Sequence, residues 1–217
     1  QHHAQSAVSH AQIAASGPLK KRLWQKIIAA KIENQAAVLR AIGSERAEGL
    51  SAMARRVRSG DPDNLEAQAA RAYWSALFET FRRHDEDRRN GLLNYGYAVV
   101  RAALARALAA SGLLPAFGLH HNSRVNPFNL VDDLLEPFRP LVDRMARARA
   151  PEEDGDELTV ADRRHMAGIL AESVSIGEER LTVLAATEAV AASLVRAIYG
   201  GDASLLVAPA LPLARRG

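Results

Sequence analysis

Between Pro18 and Ile42 the apolar residues Leu19, Leu23, Ile27, Ile28, Ile32, Ala36 and Leu39 recur with helical spacing. That spacing gathers them on one stripe of an α-helix and turns the stripe toward a core. The same period returns at Leu65, Ala69, Ala72, Tyr73, Ala76, Leu77 and Phe81, and again through "LLNYGYAVVRAALARALAASG". Alanine, the strongest helix former, supplies 42 of the 217 residues, while aromatic residues make up 5%. An all-α, multi-helix fold is expected. With no internal repeat and no long linker, 1–199 reads as a single α-helical domain, and 200–217, rich in Gly and Pro, as a mobile tail.

Local signals set the expected boundaries. A short helix over 6–16 ends at Gly17, and Pro18 opens the next, whose polar face carries Lys20, Lys21, Arg22, Lys26 and Lys31 as a basic stripe. Ser44 caps a third helix running to about Arg58, and Asp61 with Pro62 starts a fourth. Asn94 is the expected cap of a central buried helix closed by Gly112. Pro127 opens another helix, kinked or broken at Pro137 and Pro140, and two more are expected over about 160–173 and 178–199.

The absence of cysteine excludes disulfides, thiolate zinc sites and cysteine nucleophiles, so any metal must sit on His, Asp or Glu. Arg, His, Asp or Glu interrupts every apolar run before the roughly 18 to 20 residues that span a bilayer, so no membrane partner is expected. The opening "QHHAQSAVSH" has neither a signal-peptide pattern nor an initiator Met and reads as the interior of a longer protein. A net charge of +3 conceals a polarity: residues 1–106 carry 17 basic and 10 acidic residues, residues 107–217 carry 11 and 15. The basic residues are 24 Arg to 4 Lys. Arginine suits bidentate phosphate contacts, although a GC-rich genome produces the same bias.

The chemistry-bearing stretch is "GLHHNSRVNPFNLVDDLLEPFRP". On a helix Asp133 and Glu136 are three apart and Asp132 and Glu136 four apart, so they project from neighbouring positions. Phe128, Leu130, Val131, Leu134, Leu135 and Phe138 surround them, and buried carboxylates cost several kcal/mol unless paired or bound to a cation. With His120 and His121 just upstream, oxygen ligands and an imidazole suit Mg²⁺ or Mn²⁺. An ion-paired network through Arg139 or Arg124 accounts for the same acids. His84 and Asp85 lie in a charged run and read as solvated surface.

"LLNYGYAVVRAALARALAASGLLPAFGLHH", followed by "NPFNLVDDLLEPFRPLVD", closely resembles the CRISPR-associated adaptation integrase family, in particular its type II forms, which insert new spacers into CRISPR arrays. "HHAQSAVSHAQIAASGPLKKRLWQKIIAAKIENQAAVL" resembles the helical region of the same proteins. The resemblance implies the helical catalytic domain of a metal-dependent endonuclease and integrase, without the family's usual N-terminal β-rich dimerisation domain. It implies a Mg²⁺ or Mn²⁺ site: "DNLEAQAARAYW" supplies Glu66, "DLLEPFR" supplies Asp133 and Glu136, and His121 is the aligned histidine, with His120 and Asp132 in reserve. The implied partners are double-stranded DNA (protospacer and CRISPR repeat), a second copy in a homodimer, and a small ferredoxin-like adaptation subunit, in the prokaryotic cytoplasm.

Candidates for holding the DNA backbone are Lys20, Lys21, Arg22 and Lys26, then Arg55, Arg56 and Arg58, then Arg82, Arg83, Arg88 and Arg89. Tyr73, Trp74, Tyr95 and Tyr97 read as core residues that also have the chemistry to stack on bases. Two other readings stand beside the integrase: a non-catalytic helical DNA-binding scaffold, and an unrelated His-Asp metal phosphohydrolase built on His84, Asp85 and Asp133.

Overall fold

Two helices, α2 (Gly17–Ala41) and α5 (Arg88–Ala110), organise the computed structural model, which describes residues 2–78, 87–150 and 157–211. Around α2 pack α3 (Ala47–Arg56) and α4 (Leu65–Leu77); against α5 pack α8 (Val160–Ala167) and α9 (Val183–Gly200), while α1 (His2–Ala14) lies on α9. Between the hubs runs a broken rod: α6 (Asn129–Leu135), a 3-10 turn at Glu136–Phe138, and α7 (Arg139–Arg149). The rod touches both α2 and α5, so Glu136 lies on the seam between them.

Each element follows from its residues. Ser16 caps α2 by accepting from Leu19 N, and Leu23, Ile27, Ile28, Ile32 and Leu39 are 0–1% exposed on its inner face. Pro137, which has no N–H to donate, falls inside the 3-10 turn that divides the rod. Where α5 passes α7 and α8, a Cβ at Gly96 would lie 2.6 Å from Val142 Cγ1 and 2.7 Å from Met166 Cε, so only glycine permits the crossing.

The helical class stands, with several local differences. The central helix starts at Arg88, where Asp87 accepts from Asn90 N; Asn94 lies inside the helix. In place of unbroken helix after α8 there is a 3-10 turn and a hairpin, β1 (Ser173–Ile176) paired antiparallel to β2 (Glu179–Thr182). Gly177 turns the hairpin at φ 60°, and Ser175 bridges to Ala210. The segment 203–211, expected to be a loose tail, packs down: Ala203, Leu206 and Leu211 are buried, and Asn34 binds the Pro209 carbonyl and accepts from Leu211 N. Helix α9, at 18 residues and mean hydropathy 1.4, is long and apolar enough to cross a membrane. Its apolar face is accounted for by packing on α5, where Val183, Ala186, Val190, Leu194 and Ala197 are 0–2% exposed.

Candidate metal centre and nucleic-acid interface

Glu66 leaves the first turn of α4, whose leading N–H groups are held by Asp61: its carboxylate accepts from Leu65 N at 2.9 Å and from Glu66 N at 3.0 Å. From across the seam comes Glu136, 5% exposed. The two carboxylates meet on one ammonium: Lys31 Nζ is 2.6 Å from Glu66 Oε1 and contacts Glu136 Oε2. Arg139 Nε donates to the other Glu136 oxygen at 2.7 Å. Burial pushes the Glu136 carboxyl up, but Lys31 and Arg139 outweigh it and hold it below its usual range. Lys31 departs from the expected basic stripe. It lies four residues after Ile27 and three after Ile28, on the buried face, and is 8% exposed. A lysine in register with an apolar stripe was the available signal.

Asp133, three residues before Glu136, is 0% exposed. Its Oδ2 accepts from Leu119 N at 2.6 Å and His120 N at 3.1 Å, and its Oδ1 from His121 N at 3.2 Å and His121 Nδ1 at 2.6 Å. Asp133 and Glu136 take different partners, the 119–121 loop for one and Lys31 with Arg139 for the other, while both act electrostatically on the His121 imidazole. Asp133 folds the 118–121 loop around itself and fixes the imidazole with Nε2 outward, as a carboxylate partner does for a ligating histidine. That hydrogen bond raises the His121 pKa, outweighing partial burial. A Cβ at Gly118 would lie 2.2 Å from the His121 carbonyl oxygen, so the loop closes only over glycine. His120 stacks flat on Trp24, ring centroids 4.2 Å apart, and Trp24 meets His121 edge-on.

Asp132 is taken up by Arg101, at 2.6 and 3.1 Å, and by Asn126 at 2.7 Å. His121, Asp132, Arg101, Arg139, Asn94 and Tyr97 border a surface cleft of about 380 Å³. Behind it lies a group that sequence inspection passed over: Asp143, 1% exposed, accepts hydrogen bonds from Tyr73 and Tyr97. Burial raises its carboxyl to about 7 despite the two phenols. Tyr97 in turn lies under the Arg139 guanidinium, 4.7 Å from the ring centroid, so both tyrosines are structural parts of this layer.

The basic candidates separate. The N-terminus of α2 and the end of α3 converge: Gly60 N donates to the Lys21 carbonyl at 3.0 Å, and Gln25 donates to the Val57 carbonyl at 2.7 Å. Lys21, Arg22, Arg55 and Arg56 are exposed there with half-buried Lys20, and none forms an ion pair among the described residues; Arg58 pairs with Asp63. Lys26 donates to the Ser204 carbonyl. Arg88 leaves the candidate surface altogether: it is 4% exposed and bidentate on Asp162. Arg89 pairs with Asp87, and Arg82, Arg83, His84 and Asp85 lie outside the described residues.

The sequence profile of the family described as CRISPR associated protein Cas1 matches residues 1–154. A CRISPR-associated endonuclease Cas1 of Neisseria meningitidis serogroup C (strain 8013) is 43% identical over 223 residues, covering 98% of this chain and 71% of the relative. The chain belongs to the Cas1 family. A CRISPR-associated endonuclease Cas1 of Pyrobaculum aerophilum is 30% identical, covering 70% of this chain and 56% of its own length. Among solved structures a casposase bound to integration product superposes with a TM-score of 0.76 at 20% identity, covering 91% of this chain and 70% of that one. A Cas1 protein from Thermotoga maritima superposes at 0.66 and 17% identity, covering 90% and 69%. These two likenesses concern the fold.

Among the described residues no three His, Asp or Glu side chains stand at metal-ligand spacing. The donors of this Cas1 chain nevertheless suit a hard divalent cation. Glu66 and Glu136 already share one positive charge. Glu136 Oε2 is buried and accepts no aligned hydrogen bond, and His121 Nε2 has no hydrogen-bond partner among the described residues.

Proposed function

We propose that this chain is the helical catalytic part of a metal-dependent DNA endonuclease and integrase that inserts spacer DNA into CRISPR arrays during the adaptation stage of prokaryotic antiviral defence. The carrying observation is that Glu66 and Glu136, from different elements, converge on a single cation, and that Glu136 also acts electrostatically on the partly exposed imidazole of His121. The curated relatives bear the name endonuclease. In strand transfer a 3′-hydroxyl attacks a phosphodiester and another 3′-hydroxyl leaves, so the bond count is conserved and no energy cofactor is needed. Water in place of the attacking hydroxyl makes the same reaction a hydrolysis.

Glu66, Glu136 and His121 are the proposed ligands, and Mg²⁺ or Mn²⁺ held by them would supply Lewis-acid stabilisation of charge on the reacting phosphate and the departing oxygen. Asp133 orients the imidazole. Arg101 and Arg139, paired with Asp132 and Glu136, are the guanidiniums that border the cleft and are available to phosphate oxygens there. The patch of Lys20, Lys21, Arg22, Arg55 and Arg56 holds the duplex backbone; Lys21 lies ten residues from Lys31, roughly 15 Å at 1.5 Å per residue. Residues 1–199, with the packed 203–211 segment, act as a single catalytic unit. Its partners are protospacer and repeat DNA, a second copy, and the small ferredoxin-like adaptation subunit, in the cytoplasm; a solved structure similar in fold is titled a Cas6-RT-Cas1–Cas2 complex.

Lys31 in the position of a cation favours the second reading, a non-catalytic DNA-binding scaffold. Against it stands His121, whose orientation by a fully buried carboxylate has no use in a scaffold. The phosphohydrolase reading requires Asp133 as a direct ligand, and its oxygens are enclosed by the loop. Glu66→Ala and His121→Ala are each expected to lower Mn²⁺-dependent strand transfer by ~100-fold or more while duplex binding stays near wild type, with His120→Ala milder. Transfer persisting in both variants would disprove the site.

A further inference from the structure

Lys31 is 8% exposed, and its ammonium is shared between the two carboxylates proposed above as metal ligands. A divalent ion and an ammonium cannot both occupy the space between the same oxygens, because like charges in a buried setting repel strongly. One helical turn further along the same buried face lies Gln35, 3% exposed, whose Oε1 accepts no hydrogen bond among the described residues. Side chains four apart on a helix are neighbours. That orphaned acceptor gives the displaced ammonium a place to go. Glu66 and His121 are both partly exposed, so an ion can approach from solvent without unfolding the seam.

We propose that Lys31 is an internal counter-cation that holds Glu66 and Glu136 together in the metal-free protein and yields to the divalent ion, its ammonium turning to Gln35. The inference rests on the metal-site reading above. It makes Lys31 a positioning residue that sets how tightly the metal binds and gives the buried Glu136 Oε2 a counter-charge before the metal arrives.

Two measurements decide it. Because the chain has only four lysines, the side-chain ¹⁵N ammonium spectrum of the 217-residue wild type can be followed during a Mg²⁺ titration. The Lys31 resonance is expected to shift in step with metal binding. Separately, Lys31→Met is expected to bind Mn²⁺ about tenfold more tightly by calorimetry. It should also melt below the wild type in EDTA and recover most of that loss when Mn²⁺ is added. An unmoved Lys31 resonance in wild-type protein that binds Mg²⁺ overturns the inference, as does equal or weaker Mn²⁺ affinity in the variant. The spectrum needs no substitution, so it decides the matter even if Lys31→Met fails to fold. If wild type binds no Mg²⁺ or Mn²⁺, or if Glu66→Gln leaves binding unchanged, the metal site itself is wrong and the inference falls with it.

Discussion

Asp162 and Glu136 are both buried acids held by two basic residues, yet they are finished to different degrees. Asp162 accepts four hydrogen bonds: two from Arg88 at 2.9 and 2.7 Å, one from Arg149 at 2.7 Å, and one from Thr159 N at 3.1 Å. It ties α5, α7 and α8 together, and its pKa is held well below the ordinary carboxylate range, with the Arg88 bonds the largest cause. Glu136 has one aligned bond, from Arg139, and shares its other oxygen's cation with a second carboxylate. A saturated carboxylate has no capacity left for a ligand, whereas an undersupplied one beside an outward imidazole does. Burial alone does not separate the two cases; the donor count does.

Substitution at the saturated acid tests the contrast most forcefully. Asp162→Ala removes the buried acceptor of two Arg88 bonds and one Arg149 bond and is expected to lower the unfolding free energy by about 3–5 kcal/mol in denaturant titrations. Asp162→Asn should leave Mn²⁺ affinity near wild type, and a loss of affinity there as large as at Asp133 would erase the distinction. Asp143 gives a pH test of opposite sign. Its folded carboxyl titrates near 7, above the unfolded value, so the folded state keeps a proton that the unfolded state gives up. Relative to Asp143→Asn, the wild type should lose up to about 4 kcal/mol of stability as pH rises from 4 to 7 and then level off. A flat difference would mean that the two tyrosines keep the carboxylate ionised throughout.

Asp133 belongs with the saturated acids, although it adjoins the site. Asp133→Asn is expected to weaken Mn²⁺ binding by about 10- to 100-fold without abolishing it, the range for a residue that orients a ligand. A complete loss, matching Glu66→Ala, would make it a direct ligand. The smallest effects fall on the open surface. Neutralising Lys20, Lys21, Arg55 and Arg56 should leave the melting temperature almost unchanged and flatten the salt dependence of DNA binding by roughly 0.9 per phosphate contact removed.

Helical period was readable wherever a helix carried a continuous apolar stripe, as in α2, α4 and α9. It misled where a different signal interrupted it. "SVSIGEERLT" alternates in strand fashion around Gly177, but it is short and lies between strong helix formers. In α5 the charged run before Asn94 concealed Asp87 as the cap and let Arg88 pass for surface. The resemblance points to Glu66, His121, Asp133 and Glu136 together; that Asp133 binds the 119–121 backbone while Glu136 meets Lys31 and Arg139 is not legible, since those partners lie elsewhere in the fold. Lys31 is assigned by sequence to the solvent-facing basic stripe and Asp143 to no role, because the partners that bury each of them come from across the fold.

Asn34 gives the seam a mechanical aspect. Its amide nitrogen donates to the carbonyls of both Pro137 and Pro209, at 2.8 Å each, and its oxygen accepts from Leu211 N at 3.0 Å. One side chain thus couples the turn that carries Glu136 to the outgoing chain. A pull on that segment is divided between this amide, which leads to the Glu136 turn, and the Ser175–Ala210 bridge, which leads to the hairpin.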